Sequence, residues 1–309
     1  LTLIILFGGV KKGVELSNKI FMPLLFVLFT ILVVQSLRLP GAVQGLNAFF
    51  TPNWAAMMDY KVWLAAYGHT FFSLSVGFGI MVTYASYLKP KTNLTGSGLI
   101  VGFANASTEI LAGIGIFAAL GFMAHAAGTE VKDVVSGGIG LAFIAFPKII
   151  SSLGAGADVF GLLFFSSLFV AGISSMVSIL EVPIAAMQDK LKWGRKKATV
   201  FVGIIMVVLG SLSSLGYGPL ACVKIIGMQF LDFFDFLTNS VMMPIAAIAT
   251  CLLISRVVGT KKIEEEVLQE GGTFRRKRIF NFMIQYLCPI FAAIILFSSV
   301  ANAFGWISM

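Results

Sequence analysis

VWLAAYGHTFFSLSVGFGIMVTYASY, residues 62–87, decides how this chain is read. The stretch exceeds the roughly 20 apolar residues needed to cross about 30 Å of hydrocarbon. At its centre, however, stands Ser73-Leu74-Ser75-Val76-Gly77-Phe78-Gly79. Glycine adds backbone freedom and serine bonds backbone groups locally, so this heptapeptide weakens a helix at mid-depth. Two readings follow: a break whose backbone groups face a ligand, or a close helix contact through small residues.

The composition fits a chain built of such spans. Hydrophobic residues make up 58% of the 309 and charged residues only 12%, too few charges to cover a water-soluble surface of this size. Apolar length and breakers predict a partial span at 1–10 and full spans near 20–37, 62–87, 95–124, 157–187, 199–220, 227–255 and 279–305. The expected fold class is an all-α polytopic membrane protein with seven full spans, a partial one and a discontinuous helix near 73–79. Residues 134–153 have a glycine-rich start and an apolar core, GLAFIAFP, too short to span, and are expected to form an extracellular hairpin. The chain opens at Leu1 inside an apolar run with no charged region or cleavage site before it. A signal peptide is therefore not expected, and a chain beginning within a span is.

Charge gives the orientation. Loops 11–19, 88–93, 188–198 and 256–278 hold 17 of the 22 Lys and Arg, which assigns them to the cytoplasm and sends the C-terminus outside. The net charge of +8 is spread over these short loops and does not gather on a soluble, aromatic-bearing face, so no nucleic-acid partner is expected. Cys222, Cys251 and Cys288 lack metal-ligand spacing and imply neither a disulfide framework nor a metal centre.

Polar groups at membrane depth cost several kcal/mol unless paired or wetted, and so mark function. Asn105 and Glu109 stand four apart, on one helical face. Ala171-Gly172-Ile173-Ser174-Ser175 is small and hydroxyl-rich, with Glu181 beyond it; packing of small residues explains most of that pattern by itself. Hydroxyl and amide oxygens without a carboxylate cluster suit sodium better than calcium or a transition metal. Two histidines, no HExxH, no GxSxG, and Asp232 and Asp235 near an outer boundary argue against an intramembrane enzyme. A channel or structural subunit remains the alternative, separated by saturable, sodium-dependent solute binding.

YGHTFFSLSVGFGIMVTYASY (67–87) resembles the sixth span of the neurotransmitter:sodium symporter family, bacterial amino-acid transporter type. FGGVKKGVELSNKIFMPLLF (7–26), GLNAFFTPNW (45–54), ANASTEI (104–110), AGISSMVSILE (171–181) and LDFFDF (231–236) carry the likeness along the whole chain. The family's fold is a 5+5 inverted-repeat bundle. By this alignment the first three spans and most of the fourth are missing, and the parent has eleven spans.

The resemblance implies two sodium sites and no organic cofactor. Ser73 and Asn105 fall at the first, which the substrate carboxylate completes, and the Ala171 carbonyl with the Ser174 and Ser175 hydroxyls falls at the second. Phe72, Ser75, Gly77, Phe78, Ser175 and Ile179 match the substrate pocket, Phe72 as lid and Phe78 as wall. Asp235 matches the outer gate, and Ser86, Tyr87, Glu181 and Asp189 the inner gate. Glu109 stands where chloride-dependent members carry a serine, which implies chloride-independent transport with proton counter-transport. His69 replaces a usual glutamine nearby. The implied function is alternating-access symport of sodium with a neutral amino acid, since none of the pocket positions named supplies a charge. The partners are that amino acid, sodium and membrane lipid, in the cytoplasmic membrane of a bacterium.

Overall fold

The structure is a computed structural model that describes all residues except 90–91, 135–139, 153–155, 269–273 and 307–309. The described residues are helical, apart from turns and one isolated bridge between Ile225 and Met228. Six helices among them are long and apolar enough to cross a membrane: Val10–Leu37, Leu94–Ala127, Ala157–Leu191, Arg195–Leu215, Phe230–Val258 and Lys277–Ala303. The span expected at 62–87 is absent from that set because it is two helices, Tyr60–Ser73 and Ile80–Ala85, separated by residues 74–79.

The chain forms two compact units, one of residues 1–53 with 103–178 and one of residues 54–102 with 179–309. In the first, glycines bring backbones together. A Cβ on Gly45 would lie 1.7 Å from the Phe117 carbonyl oxygen, and one on Gly121 2.5 Å from that of Gly41. No larger residue fits this seam, and close approach of this kind is how helices gain dispersion contact where lipid offers no hydrophobic drive. The short helix Phe146–Ser152 buries Phe146 and Ile149 against Ala119, with the Phe146 and Phe164 rings stacked at 4.4 Å. This part of the expected 134–153 hairpin is packed on helices of its unit; its glycine-rich start, 135–139, lies outside the described residues.

In the second unit the Phe230–Val258 and Lys277–Ala303 spans pack along each other. Tyr67 stacks on Phe291 at 4.4 Å and ties the Tyr60–Ser73 helix to the latter span. Asp59 caps that helix by accepting from the Lys61 backbone N–H at 2.9 Å, satisfying one of the amides a helix start leaves open.

Candidate functional site

The break at 74–79 follows from its residues. Ser75, Gly77 and Gly79 have φ of +53°, +89° and +79°, a region glycine enters freely and other L-residues only at a cost of about 1–3 kcal/mol. A helix cannot run through three such residues. The backbone turns instead, with the Ser75 and Phe78 amides donating to the carbonyls of Phe72 and Ser75 at 2.9 and 3.3 Å, before Gly79 starts the next helix. Phe72 and Phe78 flank the break and meet edge to face at 5.9 Å. Gly77 is fixed by space as well as by φ, since a Cβ there would lie 2.6 Å from the Met243 carbonyl oxygen. The helix is broken here, and Gly77 also packs closely on the Met243 backbone.

On the Leu94–Ala127 helix the Asn105 amide N–H donates to Glu109 Oε1 at 3.0 Å. An amide held this way turns its own oxygen to the other side. Ser73 and Asn105 fall in different units.

The continuous Ala157–Leu191 helix holds the remaining oxygens. Ser174 Oγ donates to the Ala171 carbonyl at 2.9 Å and is buried, with 6% exposure. Ser175 lies one position on, about 100° around the helix, on an exposed face shared with Ile179. Ala171 and Ser174 are thus joined by a hydrogen bond, and Ser175 follows as an exposed residue.

Ten residues below Ala171, Glu181 is fully buried. Arg195, at the first turn of the Arg195–Leu215 helix, grips it with both terminal guanidinium nitrogens, at 3.0 Å to Oε1 and 2.7 Å to Oε2. The Tyr87 hydroxyl donates to Oε1 at 2.9 Å. Of the four residues expected at an inner gate, Tyr87 and Glu181 therefore meet. Ser86 bonds the Thr83 carbonyl of its own helix at 2.6 Å, and Asp189 is exposed. Sequence reasoning counted Arg195 only as a loop charge. The signal that would have found it is Glu181 itself, since a carboxylate at this depth requires a cation. Asp235 is exposed and accepts from Asn239 Nδ2 at 2.6 Å, a partner four residues on that was also not anticipated.

The chain is similar to known proteins. The profile of the Sodium:neurotransmitter symporter family matches residues 1–305. An uncharacterized sodium-dependent transporter of Methanocaldococcus jannaschii is 36% identical over 97% of this chain and 59% of its own length. One of Haemophilus influenzae is 31% identical over 96% and 63%. The crystal structure of MhsT in complex with L-phenylalanine superposes with a TM-score of 0.80 at 38% identity, covering 96% of this chain and 65% of that one. The chain thus spans about three fifths of the length of these curated relatives. With its profile, relatives and fold in agreement, the chain belongs to the sodium:neurotransmitter symporter family.

Proposed function

We propose that these residues serve a longer transporter that moves a neutral, apolar amino acid together with sodium by alternating access across the cytoplasmic membrane of a bacterium. The C-terminus of the chain lies outside. The observation that carries this reading is the break at 74–79, which places Ser73, Ser75, Gly77 and the Phe72–Phe78 pair at the interruption of an apolar helix. An interrupted helix offers amides and carbonyls to an amino acid's charged ends where lipid would otherwise forbid them. The apolar rings suit an uncharged side chain, and the L-phenylalanine bound by MhsT supports that choice.

Sodium is cargo here. Ser73 and Asn105 serve one ion, shared with the substrate carboxylate, and the Ala171 carbonyl with Ser174 and Ser175 serves a second. Glu109, one turn from Asn105, supplies the negative charge that chloride would otherwise bring, and takes up a proton on the empty return. Tyr87, Glu181 and Arg195 close the inner end together with Ser86 and Asp189, and Asp235 forms half of the outer closure.

Equilibrium binding of L-phenylalanine and L-leucine to the full-length protein, in sodium and in potassium, tests the coupling. Saturable binding in sodium alone is the expected result, and equal affinity in both salts overturns it. On reconstitution, uptake should be the same in chloride and gluconate, and Glu109→Ser should make it chloride-dependent. Wild-type uptake that collapses without chloride removes the role given to Glu109.

A further inference from the structure

A cavity of about 640 Å³ opens in the second unit, away from the broken helix. Three pieces of sequence make its wall: the start of the Leu94–Ala127 helix, the short Thr260–Leu268 helix, and the approach to the Lys277–Ala303 span. Thr260–Leu268 reads TKKIEEEVL, with Ile263 and Val267 one turn apart on the face lining the cavity. Glu264 and Glu265 line a separate cavity, where Glu264 pairs with Lys277 at 2.5 Å, and Glu266 has a partner of its own. A short amphipathic helix with one apolar face, tethered by an ion pair to the start of a span, is the arrangement expected at the headgroup level of a bilayer.

The wall has two chemistries. Leu99, Val267, Ile279 and Phe280 make it apolar, and Leu99 and Ile279 are 43% and 63% exposed. Arg275 and Arg276 stand on its lining as exposed cations, and among the described residues no carboxylate lines the cavity or pairs with either arginine. Both arginines belong to the 256–278 loop, which holds the most Lys and Arg of any loop, on the side that the Lys/Arg distribution assigns to the cytoplasm. The guanidinium fork matches phosphate oxygens, and the cytoplasmic leaflet is the one that carries anionic lipid.

We propose that this cavity is a binding site for one anionic phospholipid of the inner leaflet, its phosphate held by Arg275 and Arg276 and an acyl chain laid along Leu99, Ile279 and Phe280. A zwitterionic lipid offers the same chain, but its ammonium offsets the phosphate charge that the two arginines recognise. Free phosphate offers the charge without the chain and leaves the apolar wall uncovered. The occupant clamps the Thr260–Leu268 helix to the starts of both spans.

The site rests on the membrane orientation proposed above, yet its test needs neither sodium nor amino acid, so failure of transport and failure of the site are separate results. The full-length protein is delipidated in detergent, titrated with phosphatidylglycerol or phosphatidylcholine, and the bound lipids counted by native mass spectrometry. One phosphatidylglycerol should persist where phosphatidylcholine does not. Arg275→Gln with Arg276→Gln should weaken its retention about thirtyfold, as expected for two charges lost near an anionic headgroup. Lys196→Gln with Lys197→Gln, which removes two cytoplasmic charges elsewhere, should leave retention unchanged. Equal retention of both lipids, or equal loss in both double variants, overturns the site in favour of general apolar or surface attraction. Displacement of the lipid by inorganic phosphate overturns the choice of a lipid as occupant.

Discussion

Residues 60–85 and the Ala157–Leu191 helix are both placed in the proposed transport site, and they present polar groups by opposite means. The first spends its helix: three positive-φ residues within five positions break the ladder between two rings that meet edge to face. The second keeps its helix over 35 residues and uses side chains, a serine hydroxyl on a carbonyl at one level and a buried carboxylate two turns and more below it. The difference teaches where each can be altered. A backbone site depends on glycines and on the space around them. A side-chain site depends on partners, and its residues can be exchanged singly wherever the partner remains satisfied.

The largest expected effect strikes the continuous helix. Arg195→Gln strands Glu181 as a fully buried charge, and breaking a buried pair in this way costs about 3–5 kcal/mol. The thermal midpoint of the full-length protein should fall sharply, and adding Glu181→Gln should recover much of the loss. If the double variant loses the sum of the two single losses, the pair does not act as a unit.

Gly77→Ala tests the broken stretch. Its φ of +89° and the Met243 carbonyl 2.6 Å from the new methyl group should together cost about 2 kcal/mol. Amino-acid binding should weaken at least tenfold in sodium. Gly68, in the intact Tyr60–Ser73 helix, has nothing within 4 Å of a Cβ, so Gly68→Ala should be harmless. Equal losses at both positions would mean that the break has no special geometry to protect.

Ser174→Ala is the mildest change. It removes one hydroxyl and its hydrogen bond to Ala171, worth about 1 kcal/mol of stability, with little change in volume. Sodium should then be needed at higher concentration to support the same amino-acid binding, while folded yield stays close to wild type. Unchanged sodium dependence would reduce Ser174 to a packing residue.

Much of this was legible in the sequence because it is local. The break is written in Ser75, Gly77 and Gly79, and the shared face of Asn105 and Glu109 follows from a spacing of four. What escaped was pairing across a loop. Arg195 meets Glu181 over Lys192 to Gly194, a turn that includes Lys192 at φ +53°, and nothing in the periodicity of either helix states that register.

The Glu181–Arg195 pair also has an electrical consequence. One elementary charge moved through the whole membrane field is worth about 2.3 kcal/mol per 100 mV, so a lone Glu181 shifting with its helix would tie the transport cycle to membrane voltage. Arg195 lies within 3.0 Å of both carboxylate oxygens, and the two together form a dipole of zero net charge. If the proposed cycle holds, currents recorded from the full-length protein should report the carried ions and not the motion of this pair.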